Sequence, residues 1–113
     1  MTTIRFKLPK IEQVEFTIEP LEEHIHPEEQ FDSGDAEKDA KLVADICEKS
    51  ENNIWAWCCV KVTANYKGIT GTDYLGCCSY DSEKEFKEKS GYYEDMKNAA
   101  FDCLIENLKL LKD

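Results

Sequence analysis

The residues with most chemical scope in this chain of 113 residues are its six cysteines: Cys47, Cys58, Cys59, Cys77, Cys78 and Cys103. Neither adjacent pair is a CxxC, the spacing that suits a structural zinc or a redox dithiol. Neighbours along a strand point to opposite faces, so each adjacent pair predicts one inward and one outward sulfur. A hairpin turn centred near Gly68 sets opposed residues to sum to about 136. Cys58 then faces Cys78, and Cys59 faces Cys77. Three readings stay open for these couples: small buried hydrophobes, thiols that pair on air oxidation, or ligands of a soft metal. A cysteine nucleophile needs a positioned base and oxyanion donors; no nucleophile elbow or oxyanion loop is visible.

The other titratable candidates are His24 and His26, set among Glu22, Glu23, Glu28 and Glu29. In an extended segment both imidazoles point the same way, as metal ligands would, but the spacing of a known site is absent. The plainer reading is an exposed acidic loop, whose carboxylates favour protonated histidines. Gly68, Gly71 and Gly76 fall at hairpin positions and precede no helix, so they make no phosphate cradle. Arg5 is the sole arginine, which disfavours a bidentate phosphate clamp. No cofactor or metal is expected.

Charge narrows the function classes further. Lys and Arg number 14 against 24 for Asp and Glu, a net charge of −10. Residues 12–51 hold 14 acids and three bases, a balance of −11, so nearly all of the excess lies there. A direct nucleic-acid binder leans the other way. Such a block either keeps a small protein soluble or docks on a cationic surface. No apolar run approaches 18 residues, so no membrane span is expected. The start, Met1-Thr-Thr-Ile-Arg-Phe-Lys7, lacks the apolar core of a secretory signal, which predicts reduced cysteines.

The elements that must hold these residues follow from periodicity. Ile4, Phe6 and Leu8 alternate with bases and predict a strand stopped by Pro9. Val14, Phe16 and Ile18 predict a second strand, stopped by Pro20 and joined to the first as a hairpin. Residues 20–35 read as an acidic loop that ends in a helix cap at Ser33 or Asp35. A helix over Ala36–Lys49 carries a stripe of Ala36, Ala40, Val43 and Cys47, with Leu42 and Ile46 on its shoulder. Residues 54–66 predict a long strand and 72–80 its hairpin partner. Ser82-Glu-Lys-Glu85 is a capping box opening a short helix. The last helix spans Tyr93–Leu111. The expected fold is one α+β domain over 1–113. Its expected architecture is a four-stranded, mainly antiparallel sheet in the order β-β-α-β-β-α, with helices on one face.

In that architecture Trp55 and Trp57 share one face of the long strand. The acidic loop, a second copy of the chain or a partner would cover them. Exposed, they would be anchors for binding.

Three segments carry a resemblance: Trp55-Ala-Trp-Cys-Cys-Val-Lys-Val-Thr-Ala64, Asp73-Tyr-Leu-Gly-Cys-Cys-Ser-Tyr80 and Gly91-Tyr-Tyr-Glu-Asp-Met-Lys97. Together with Ser33-Gly-Asp35 they resemble a family of small proteins encoded in bacteriophages and prophages. The resemblance covers roughly residues 30–105 and brings no catalytic residues. It implies a phage-borne accessory protein in the cytoplasm of an infected bacterial host. By analogy of genomic habit, it implies an inhibitor of host defence.

Two binding functions result. In the first, a non-enzymatic inhibitor occupies a basic groove of a host defence protein, a nuclease or a restriction or CRISPR component. Trp55 and Trp57 are its anchors, and Glu22, Glu23, Glu28, Glu29, Asp32, Asp35, Glu37 and Asp39 its acidic face. In the second, a cyclic-nucleotide sponge stacks the base on Trp55, Trp57, Tyr74 and Tyr80 and meets the phosphate with Lys61 or Lys67. Either leaves room for a homodimer or higher oligomer.

Overall fold

The computed structural model describes residues 7–31 and 33–111. Among the described residues three strands and three α-helices run in the order β1 (Glu15–Glu22), α1 (Ala36–Ser50), β2 (Cys58–Tyr66), β3 (Ile69–Cys78), α2 (Glu83–Lys89) and α3 (Tyr93–Leu110). The strands form one antiparallel sheet in the order β1-β2-β3. The α+β class holds, but the expected four-stranded sheet is corrected to three strands. Most of the expected strand at Ile4–Leu8 lies outside the described residues, and Lys7 and Leu8 are not in a strand. In place of a hairpin link there is a single 3₁₀ turn at Ile11–Gln13. The Gln13 side chain closes it by accepting from the Lys10 N–H at 2.9 Å.

The chain divides into two compact units. One comprises Met1–Glu19, Lys61–Tyr74 and Tyr92–Asp113; the other comprises Pro20–Val60 and Leu75–Gly91.

In the first unit α3 buries Met96, Ala100, Leu104 and Leu108. The stripe expected from the sequence ran instead through Met96, Ala100, Cys103, Asn107 and Leu110 or Leu111, of which Cys103 and Asn107 are half-buried and Leu110 and Leu111 exposed. Val62 and Ala64 of β2 are fully buried. Gly71 of β3 is glycine because α3 lies on it. A Cβ there would overlap the Leu104 nitrogen and the Ala100 carbonyl oxygen and stand 2.6 Å from Leu104 Cα. The Asn107 amide donates to the Thr70 carbonyl at 2.7 Å and pins the same helix to the same strand. The β2–β3 turn holds Lys67 at φ 52° and Gly68 at φ 85°. Positive φ at both central residues is the two-residue turn that matches strand twist. It places Tyr66 opposite Ile69, one residue away from the expected register.

In the second unit β2 begins at Cys58, not Ile54. Residues Ile54–Ala56 form a 3₁₀ turn instead, capped by Asn53, whose side chain accepts from the Trp55 N–H at 3.1 Å. The same side chain donates to the Asp81 carbonyl at 2.8 Å. The turn takes both tryptophans out of strand parity and into the core with Ile46, Cys58, Val60 and Phe86. Phe86, brought by α2, meets the Trp55 ring at 5.9 Å and the Tyr80 ring edge-on at 5.1 Å. Ser82 caps α2 by accepting from the Glu85 N–H; the Glu85 carboxylate answers to the Asp81 N–H. Asp35 caps α1, accepting from the Lys38 N–H at 3.1 Å.

β1 runs through Pro20 instead of stopping there. It is an edge strand, where a missing N–H costs the sheet little.

Candidate functional site

The tryptophans are not anchors. Trp55 and Trp57 are each 9 % exposed. The acidic segment supplies the cover for Trp57: the indole N–H donates to the Ile25 carbonyl at 2.7 Å, and the Phe31 ring lies 6.1 Å away. A buried indole with its N–H satisfied is a core residue, and stacking a ligand on it would require unpacking the unit.

The alternative ligand set is dispersed for the same reason. Trp55 and Trp57 belong to the packed interior of the second unit, and half-buried Tyr80 stands edge-on to Phe86 there. In the first unit the Lys61 ammonium lies 5.9 Å from the Tyr74 ring centre and pairs with Glu19 at 3.7 Å. Lys67 lies over its neighbour Tyr66 at 5.3 Å. Both lysines already have partners.

The carboxylates divide by use. Glu23 is half-buried and receives the Cys77 N–H at 2.7 Å and the Ile25 N–H at 3.2 Å. The Cys77 bond, above all, holds its carboxyl below the usual range. Asp39 accepts from both the N–H and the hydroxyl of Ser33, at 2.9 and 2.8 Å. Glu29 accepts from the His26 N–H at 3.1 Å. Asp35 is the cap of α1. Glu22 and Glu37 are exposed and have no partner among the described residues, and Glu28 has only the His26 ring at 3.9 Å. Asp32 lies outside the described residues. Glu28 and Asp39 meet at one groove, and Glu22 and Glu23 at another beside Ile54 and Trp57.

His26 serves as a cap: its Nδ1 accepts the Glu28 N–H at 3.1 Å. Among the described residues no three His, Cys, Asp or Glu side chains are grouped to hold a metal ion.

The four hairpin cysteines, Cys58, Cys59, Cys77 and Cys78, sit where thiolates are disfavoured. Cys58 and Cys78 are buried, which pushes their thiols up to about 12 and about 11. Burial also raises Cys59 and Cys77, with the Glu23 carboxylate adding to the effect. A nucleophilic cysteine needs the opposite environment. The turn geometry places Cys58 opposite Cys77, but Cys77 has φ 56° and the alternation changes phase there: Gly76 is exposed and Cys78 buried. Past this left-handed residue Cys78 turns inward. The Glu23 carboxylate accepts from the N–H of that same residue, Cys77.

The feature that the sequence did not reveal is a groove along α1. The stripe of Ala36, Ala40, Val43 and Cys47 was expected in the core. Instead Ile46 is the only buried residue of α1. Ala36, Ala40 and Ala44 are exposed, and Leu42 is 43 % exposed. A hollow of about 520 Å3 runs between Phe31, Glu28 and this alanine face. A second, of about 590 Å3, lies between Phe31, Leu42 and Lys38. Asp39 borders both. Two signals pointed here: a lone aromatic in an acidic loop, and a helix stripe made of small side chains that bury little area.

Among the described residues no helix is long and apolar enough to cross a membrane. Compared with protein-family models, curated proteins and solved structures, the chain matches none.

Proposed function

We propose that this is a non-enzymatic accessory protein that binds a basic, nucleic-acid-binding surface of another protein through the acidic face of α1 and the segment before it. The observation that carries this reading is uncompensated charge. Residues 12–51 hold 14 acids against three bases. Among the described residues from 20 to 51, Lys49 with Asp45 is the only lysine–carboxylate pair. Glu22, Glu28 and Glu37 are exposed, and among the described residues none of them forms an ion pair with a lysine. Carboxylates that keep their charge on a folded surface can replace phosphates in a basic groove, releasing the counterions that DNA would release. That the target is a host defence component rests on the analogy of genomic habit with small phage-encoded proteins, not on particular residues. The thiol environments described above support a binding role over catalysis.

The test is capture of the target from a bacterial lysate at low salt, followed by titration of the purified pair. Between 50 and 200 mM salt the affinity should fall by about 10- to 100-fold, because several ion pairs form at once. DNA should compete. A Glu28→Lys/Glu37→Lys variant should lose binding with its helicity intact. Salt-independent affinity, or simultaneous binding of DNA and this protein, would refute the reading.

A further inference from the structure

We infer that the groove along α1 seats a cationic amphipathic helix of the partner, an inference that rests on the basic-partner reading above. α1 has 15 residues and is therefore about 22 Å long. Helices of this kind draw their stability from covering an apolar stripe, yet here the fold covers only Ile46 fully. The alanine face and the exposed Leu42 leave apolar surface on both sides of Phe31.

The groove has a firm wall. Phe31 packs on Trp57, and Trp57 is fixed by its bond to the Ile25 carbonyl. Its floor is made of alanines, so a second helix axis could approach to the short end of the usual 8–10 Å range. Its border is acidic and oriented: Asp39 is held by two bonds from Ser33, and Glu28 stands at the opposite lip. Apolar floor and carboxylate lips together match a helix with leucine-like residues on one face and lysine or arginine along its flanks. This is helix-in-groove recognition, read through anchors at i, i+3, i+4 and i+7. Of the charged residues that line the two hollows, Glu28 and Asp39 are acidic and Lys38 basic, and residues 28–41 hold six acids against two bases. A second copy of this chain is the poorer occupant, because two-fold contact would set those same carboxylates against themselves on chains of charge −10.

The probe is a fluorescein-labelled 15-residue peptide of leucine and lysine, with the leucines at helical spacing. Its control has the same composition shuffled so that no apolar face forms. Anisotropy titrations should give at least tenfold tighter binding for the amphipathic peptide. Ala40→Trp, which fills the groove without changing charge, should abolish that difference. Ala36→Trp provides the same block at another exposed position, and circular dichroism confirms both folds. Equal, salt-sensitive binding of both peptides overturns the groove and leaves the acidic-face reading standing. Binding of neither peptide at 50 mM salt overturns both. A dimer in sedimentation that Ala40→Trp dissociates overturns the inference in favour of self-association.

Discussion

Gly71→Ala tests the packing of the first unit most severely. The substitution adds one methyl group to a residue whose φ is ordinary, so backbone conformation is not at issue. The new Cβ would overlap the Leu104 nitrogen and the Ala100 carbonyl oxygen and lie 2.6 Å from Leu104 Cα. Ordinary contact begins near 3.4 Å, and all of these are backbone atoms of α3. No rotamer change can relieve the clash; the helix must move off the strand by about an ångström. That shift strips contacts from Ala100, Leu104 and Leu108, all buried. It also strains the Asn107 bond to Thr70. We expect a loss of about 3 kcal/mol, the upper end for overpacking. With a urea slope of about 1.5 kcal/mol per molar, the unfolding midpoint should fall by about 2 M. Thr70→Ala, next door with an exposed side chain, should change stability by less than about 0.5 kcal/mol. If Gly71→Ala unfolds within about 0.5 M of the unsubstituted protein, the close approach of α3 to β3 is wrong.

Three further outcomes are expected. Trp55→Ala should cost about 3–5 kcal/mol in urea unfolding, as for a large core aromatic; a partner anchor would leave stability unchanged and lose only binding. Glu23→Gln should flatten the acid limb of the stability profile. The folded protein holds this carboxyl below its usual range, so it contributes stability above the unfolded value of about 4.3 that is lost as pH falls through the lower folded value. Urea midpoints from pH 3 to 7 check this, and a profile parallel to the unsubstituted protein would count against the Cys77 bond. Iodoacetamide at pH 8 should label Cys58 and Cys78 only after unfolding. Their thiols, near 12 and 11, expose a thiolate fraction of about one in a thousand or less. Peptide mass spectrometry with and without urea reads the result.

The sequence by itself determined the helices and the main hairpin. Asp35 and Ser82 are local signals, and the helices start where those caps say. The α3 stripe was legible only in part, because Met96 and Ala100 are buried while Leu110 and Leu111 of the expected stripe are exposed and Leu104 and Leu108 take their place. The buried face of β2 from Cys58 to Ala64 was likewise legible, because a period of two survives in any central strand. Tertiary structure decided the rest. Asn53 reaches Asp81 and turns 54–56 into a 3₁₀ turn, so two tryptophans that alternation assigned to an open face became core. Cys77 takes a left-handed backbone, its N–H bonded across to Glu23, and the alternation of β3 changes phase there. α1 has an amphipathic stripe, but among the described residues only Ile46 is fully covered and Ala36 and Ala40 stay exposed. Periodicity reports that a face is apolar; only the other side chains decide whether it is buried, because burial is a property of what packs against it. The candidate site was half legible for that reason: its charge could be counted along the chain, but its groove exists only where Phe31, pinned on Trp57, stands beside α1.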